Sequence, residues 1–428
     1  MLKELTKRRE NLFREMKNNS AAIFLSARKV FRNKDVEYNF HQNSDFLYMC
    51  GINEPDNIVI FVKQNNSEKS YLWRKMRTDL EKTWEGSGLE NQDIIENYGF
   101  TEIDNIENIY NRINSMLSNI STIYFDIGTK TTFESRLLDL IKNSREENRK
   151  DKNIQKEVLS LGLIIHSLRL RKSSFEIDRI KEAAKVSSIA HEMCMKKTKP
   201  GLYEYEISAE LSYIFNKKNM TTAYPSIVAS GANACVLHYT KNNSKLNDNE
   251  LLLVDAAAEN EGYASDITRT FPINGKFSDE QSLVYEIVLN AQKKSINEVK
   301  PGSSWEKVHS VCIYEITSGL VEIGILDGNV DHLISSGAYK DYYMHKTGHW
   351  LGLDVHDVGE YKNVIFESGM VMTIEPGIYI SKNNELVDSK WRGLGIRIED
   401  DILVTDSSSD VISSNLVKEI SDIEDLCS

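Results

Sequence analysis

The chain has 428 residues, 40% hydrophobic and 27% charged, with 52 Lys and Arg against 64 Asp and Glu for a formal net charge of −12. That length allows two to four domains of roughly 100–200 residues each, with enough apolar content for a sizeable core. The acidic balance argues against nucleic acid or an anionic membrane surface as a partner, because both attract a basic face.

The N-terminal stretch "MLKELTKRRENLFREMKNN" reads as a charged helix and lacks the apolar centre of a signal peptide. No apolar run approaches the ~20 residues of a membrane span. Cys50, Cys194, Cys235, Cys312 and Cys427 are odd in number, far apart and without a C-x-x-C pair, so they read as reduced thiols. A cytoplasmic protein is expected.

From residue 1 to about 165, the strand-like runs "AAIFL", "NIVIFV", "SYLWR" and "TIYFDI" alternate with helical stretches such as 105–119 and 133–149. That pattern predicts an α/β domain with helices on a sheet. The polar run "NSREENRKDKNIQKE" marks a loop or the approach to a boundary. A helix start follows at "SSFEID", with Ser173 or Ser174 as N-cap and Glu176 and Asp178 near the positive end of the dipole. Domains over 1–172 and 173–428 are expected.

The second half repeats itself. "KKTKPGLYEYEISAEL" and, about a hundred residues later, "NEVKPGSSWEKVHSVC" each break one helix at Lys-Pro-Gly before another begins. Each repeat then reaches a histidine segment, "VLHYT" or "YMHKT", and two strand-like runs carrying acidic residues. The shared order predicts two similar halves packed face to face.

Within "LLLVDAAAENEGYASDITRTFPI" a turn is expected at "ENEG". With Asn260 and Glu261 at its centre, Asp255 lies directly across from Asp266, their Cβ atoms roughly 4.5–5.5 Å apart. Two buried like charges at that distance require a proton or a cation between them. The alternative is that one aspartate belongs to the turn and faces water. "MVMTIEPGIYI" sets Glu375 at the end of an apolar strand, where Pro376 and Gly377 turn the chain away. In "GLGIRIEDDILV" Arg397 and Glu399 share one strand face. A glutamate among such apolar residues must be paired or ligating, and Arg397 is one available salt-bridge partner.

Three of the nine histidines, His345, His349 and His356, fall in "YMHKTGHWLGLDVHDVG". His345 and His349 have H-x-x-x-H spacing, but Lys346 stands where the zinc-protease helix carries its glutamate. Gly348 and Gly352 oppose a long ligand-bearing helix, so the three need not all be ligands. Four carboxylates with one imidazole and no thiolate form a hard set suited to Mn²⁺, Fe²⁺ or Co²⁺, with Zn²⁺ also accommodated. Four carboxylates balance two divalent cations and leave room for a bridging hydroxide.

Asp255, Asp266, His349, Glu375 and Glu399, set in "HWLGLDVHDVG", "TIEPGIYI" and "GIRIEDDILVT", resemble the metal site of the Xaa-Pro aminopeptidases (aminopeptidase P), pita-bread metallopeptidases. "HQNSDFLYMCGINEPDNIVIF" is similar to that family's N-terminal domain. The resemblance implies an α/β (α+β) chain: an N-terminal α/β domain, then a pita-bread domain with an internal pseudo-two-fold repeat. It implies two divalent metals, Mn²⁺ favoured, with Asp255 bidentate on one, Asp266 and Glu399 bridging, and His349 and Glu375 completing the other. A hydroxide bridging the metals would attack the carbonyl before proline, with Glu375 managing its proton. His238 and His356 would hold the substrate, His345 would steer it or support the site, and Arg397 would orient a carboxylate. Expected substrates are peptides with proline in second position, and the expected assembly is a homodimer or homotetramer. Lys346 and Thr347 depart from the small glycine that commonly follows the first histidine in this family. The rival readings are a prolidase restricted to Xaa-Pro dipeptides and a pita-bread protein that binds peptides without catalysis.

Overall fold

The computed structural model describes residues 1–65, 67–147 and 156–428, in two compact units, Met1–Arg169 and Leu170–Ser428. The segment 143–157, expected as a loop or boundary, falls largely outside the described residues, and the helix expected over 133–149 is described as Thr132–Glu147.

The first unit is built on a six-stranded sheet in the order Glu102–Asn105, Ser67–Arg74, Asn57–Gln64, Ser20–Leu25, Thr122–Tyr124, Glu157–Leu159. Its three central strands pair antiparallel and the flanking ones join parallel. Helix Ile109–Leu117 buries Ile109, Ile113 and Leu117, a spacing of four that lines one face, against Ile23, Ile60 and Trp73 of the sheet. The expected α/β layering is present.

In the second unit the repeat is structural. Helix Ser174–Lys197 starts with a capping box in which Ser173 accepts from Glu176 N and Glu176 reaches back to the N-cap; helix Asp279–Asn297 starts with the same device from Ser278 and Gln281. Each runs into its Lys-Pro-Gly, where Gly201 (φ 98°) and Gly302 (φ 86°) turn the chain through a region that side chains disfavour. The paired helices Glu204–Lys217 and Trp305–Glu322 follow. Each half then supplies a three-stranded antiparallel sheet: Ile227–Ser230, Leu251–Asp255 and Thr268–Pro272 in the first, Val371–Ile374, Asp400–Val404 and Ser409–Val411 in the second.

A β-bridge between Thr268 and Glu399 joins the two sheets. Beneath it, Arg269 donates to the Glu399 carbonyl and to Asp400 Oδ1, each partner completely buried or nearly so. Asp400 also accepts from Lys418 Nζ at 2.7 Å and Ser413 Oγ at 2.6 Å. Burial raises the Asp400 carboxyl, but Arg269 and Lys418 outweigh it and bring the pKa down to about 2.

The hairpin register differs from the sequence expectation. Glu259 pairs with Ala264 and Asn260 with Tyr263, so Glu261 (φ 51°) and Gly262 (φ 89°) form the turn. Two successive positive φ values are the type I′ pattern, and glycine adopts the second without strain. Asp255 therefore lies across from Thr268 rather than Asp266.

Among the described residues no helix is long and apolar enough to cross a membrane. All five cysteines are free thiols.

Candidate metal centre

Asp255 ends the central strand of the first sheet, and Asp266 lies in the irregular link before Thr268–Pro272. Glu375 follows Val371–Ile374, its amide donating to Thr347 O at 2.8 Å, and Glu399 sits between Gly395–Arg397 and Asp400–Val404. The histidine segment forms no α-helix; it lies beside the Glu375 strand, with Thr373 N donating to His349 O and His349 N to Thr373 Oγ1.

This close apposition explains Gly348. A Cβ there would fall 1.9 Å from Thr373 O, a backbone atom that cannot move aside. Gly348→Ala should displace His349 and weaken divalent-cation binding by roughly 10–100-fold, the scale of a disturbed ligand support. A Mn²⁺ titration of the folded variant checks this, and unchanged affinity would refute the packing argument.

Asp255, Asp266, Glu375, Glu399, His238, His345, His349, His356 and Arg397 all line one cavity of about 740 Å³. Ligand atoms of Asp266, His349 and Glu399 lie within 4.8 Å of one another. His349 Nε2 is 3.3 Å from Asp266 Oδ2 and 3.8 Å from Glu375 Oε1. Its Nδ1 faces Trp350 O at 3.0 Å; donation there leaves Nε2, turned toward the carboxylates, as the nitrogen that carries a proton or ligates a cation. His238 and His356 stand on the exposed part of the wall, the His356 ring edge-on to His349 at 4.4 Å.

Arg397 is buried and has three partners: Nη2 donates to Asp255 Oδ2 at 2.6 Å, Nη1 to the Tyr379 hydroxyl at 3.0 Å and Nε to Thr268 Oγ1 at 3.2 Å. The Tyr379 hydroxyl lies 2.8 Å from His345 Nε2, while His345 Nδ1 faces Lys346 O. Burial, reinforced by Arg397, pulls His345 down to about 4. His345 is therefore a neutral ring accepting from Tyr379, joined through it to Arg397.

Arg397 and His349 balance the four carboxylates only in part. Burial raises Glu399 well above the usual carboxyl range, and Asp266, Glu375 and Asp255 add to the shift. Burial likewise pushes Glu375 up to about 7, Asp266 and Asp255 adding while His349 and Arg397 oppose. Burial lowers His349, yet Asp266 and Glu375 prevail and hold it at about 9. Asp255 Oδ1 is buried with no hydrogen-bond partner. An acidic, oxygen-rich set with one imidazole lone pair and an orphaned carboxylate oxygen fits hard divalent cations.

Sequence reasoning missed several supports. The Tyr224 phenol donates to Asp266 Oδ1 at 2.6 Å and the Thr268 hydroxyl to Glu399 Oε2 at 2.7 Å, so each carboxylate is steadied through one oxygen while Asp266 Oδ2 faces His349. Asp401 accepts from Asp266 N and Ser265 Oγ, fixing the Asp266 backbone. Thr268 and Asp401 sit within or beside recognised strands, so strand pairing could have suggested them; Tyr224 carries no signal in its neighbourhood.

Residues 178–406 match the model of metallopeptidase family M24, and residues 5–124 match the aminopeptidase P N-terminal domain. The chain is 39% identical over 427 residues to an Xaa-Pro aminopeptidase of Haemophilus influenzae, covering 99% of this chain and 96% of that protein. It is 36% identical to the Escherichia coli Xaa-Pro aminopeptidase, covering 99% and 97%. Among solved structures, Pseudomonas aeruginosa aminopeptidase PepP superposes with a TM-score of 0.95 at 40% identity, covering 99% and 97% of the two chains. Zinc-substituted E. coli aminopeptidase P in complex with product gives 0.95 at 36%, covering 99% and 98%. With both domains matched along nearly its whole length, the chain belongs to metallopeptidase family M24, in its aminopeptidase P branch.

Proposed function

We propose that the chain is a divalent-metal-dependent aminopeptidase that releases the first residue of peptides with proline in second position. The observation that carries this reading is the convergence of four carboxylates and an oriented His349 in one cavity, in a chain whose full-length relatives are Xaa-Pro aminopeptidases. Asp255, Asp266, His349, Glu375 and Glu399 would hold two cations, Mn²⁺ by preference and Co²⁺, Fe²⁺ or Zn²⁺ as alternatives. Bound there, the cations supply a nucleophilic water of lowered pKa and polarise the carbonyl before proline.

The remaining work falls to the protein. Asp266 and Glu399 would be the ligands common to both cations, each steadied by one hydroxyl, from Tyr224 and Thr268. Glu375, whose Oε1 is 3.8 Å from His349 Nε2, would also be placed to take a proton and deliver it to the leaving proline nitrogen. His238 and His356, on the open wall, hold the carbonyl and proline sides and offer N–H groups to the developing oxyanion. Arg397 orients Asp255 and, through Tyr379, His345. Domains 1–172 and 173–428, a cytoplasmic location consistent with five free thiols, and a homodimer or homotetramer complete the proposal.

Cation binding should release protons. In the cation-free protein Glu375 titrates at about 7 rather than 4.5, so its contribution to stability is full below about 4.5 and is lost as pH rises through about 7. His349, held at about 9, is also protonated near neutrality. Mn²⁺ should displace about one to two protons at pH 6–7 and bind more tightly as pH rises across that range. Calorimetry in two buffers of different ionisation enthalpy measures this, and zero proton release would count against the ligand set.

Activity is tested on chelator-stripped protein with and without Mn²⁺, using an Xaa-Pro-Xaa tripeptide and an Xaa-Pro dipeptide. Metal-dependent release of the first residue from the tripeptide is expected. Cleavage of the dipeptide alone would make the chain a prolidase, and cleavage of neither would remove the catalytic reading.

A further inference from the structure

We infer that Lys346 is a specificity-determining residue that draws a carboxylate of the peptide, downstream of proline, to the cationic part of the cavity wall. The inference rests on the aminopeptidase reading above and adds what that cavity selects. The other charges of the wall are engaged. Arg397 is bound to Asp255, Asp266 faces Tyr224 and His349, and Glu399 takes Thr268. Glu306, on the first turn of helix Trp305–Glu322, is held below the usual carboxyl range by its own amide, Ser304 and Asn363, with the positive charge of Lys346 adding. Lys346 and Lys362 also line this cavity, and neither forms an ion pair within 4.0 Å among the described residues, Lys346 acting on Glu306 only at longer range.

The backbone beneath Lys346 is firmly placed. His345 Nδ1 faces its carbonyl, and the next residue, Thr347, is pinned from three sides: its hydroxyl lies 2.7 Å from His309 Nδ1 and 3.0 Å from the Tyr343 hydroxyl, and its carbonyl accepts from Glu375 N. A flexible four-carbon stem thus carries its charge from a fixed point one residue from the strand that bears Glu375. With two divalent cations balancing the four carboxylates, the lysines are the positive groups left on the wall, and an anionic group downstream of proline is complementary to them. The chemistry recognised is a carboxylate, supplied either by the C-terminus of a short peptide or by an acidic side chain after proline.

The test measures kcat/KM of the Mn²⁺-loaded full chain for Ala-Pro-Ala as free acid, Ala-Pro-Ala amide and Ala-Pro-Glu amide, in wild type and Lys346→Ala. Inhibition by Pro-Ala and by its amide gives a separate binding readout. Lys346 is exposed, and an unchanged circular dichroism spectrum verifies folding. Wild type should prefer the free acid over the amide by roughly 2–5-fold, the upper range of one solvent-exposed charge pair. The preference should shrink with salt and collapse toward unity in Lys346→Ala, for cleavage and inhibition alike. Recovery of rate with Ala-Pro-Glu amide identifies a side-chain carboxylate as sufficient; no recovery identifies the C-terminus. Equal rates for acid and amide in wild type, or a preference that survives Lys346→Ala, would overturn the inference and leave the aminopeptidase reading standing. Failure to cleave any of the three peptides would instead strike that reading.

Discussion

Glu399→Gln should reduce kcat/KM by at least ~10³-fold, about 4 kcal/mol at 1.36 kcal/mol per tenfold, without lowering the stability of the chelator-treated protein. Glutamine preserves shape and still offers an oxygen to the Thr268 hydroxyl, which Glu399 engages at 2.7 Å. Burial and the neighbouring carboxylates already push Glu399 toward its protonated form without a cation, and glutamine is the neutral isostere of that form, so the chelator-treated variant keeps its stability. What it loses is affinity for the cations. Wild-type protein at a hundredfold excess of Mn²⁺ over Kd gains about 2.7 kcal/mol, a rise of roughly 5–10 °C for a unit of this size; the variant should show little of it. Thermal melts with and without Mn²⁺, beside peptide kinetics, separate the two effects. Near-normal turnover, here or in Asp266→Asn, would overturn the bridging assignment.

Arg397→Met should have its largest effect on the fold itself. Asp255 would keep a buried charge with its guanidinium partner gone, and breaking such a pair costs about 3–5 kcal/mol. Tyr379 and Thr268 would lose a donor at the same time. Because a cation can partly neutralise Asp255, the loss should be greatest in chelator and smaller with Mn²⁺, with cation affinity down roughly 10–100-fold. Arg397→Lys should fall short of rescue, since one ammonium cannot reproduce the planar fork that reaches three partners. Denaturation of the variants in chelator and in Mn²⁺ checks the order. A stable Arg397→Met protein in chelator would mean that Asp255 is already neutral.

Local chemistry explains why so much of this could be read from the chain. Lys-Pro-Gly stops a helix by rules that need no tertiary context, which made the repeat visible twice. Glu375 and Glu399 declared themselves because a charge among apolar residues has few affordable explanations. The hairpin was legible only in part: the turn was placed one residue early, at Asn260 and Glu261, whereas glycine's tolerance of positive φ centres it on Glu261 and Gly262. That error moved Asp255 from opposite Asp266 to opposite Thr268, two places along the partner strand. Two places preserve the face, so the aspartates still line one cavity. Tyr224 and His309 are a different case. Each is a lone residue brought to the site by the path of the chain, and nothing in its sequence surroundings marks the arrival.

The Thr268–Glu399 bridge has a consequence for assembly. Two of the proposed ligands, Asp255 and Asp266, come from one half of the repeat, and three, His349, Glu375 and Glu399, from the other, so the cavity they line is a clasp closed across a seam. Neither half alone holds the complete proposed set, and a chain severed between them should reunite more tightly with Mn²⁺ present if the cations bind the joined form alone. The same linkage makes the cation a reporter of whether the halves are correctly docked.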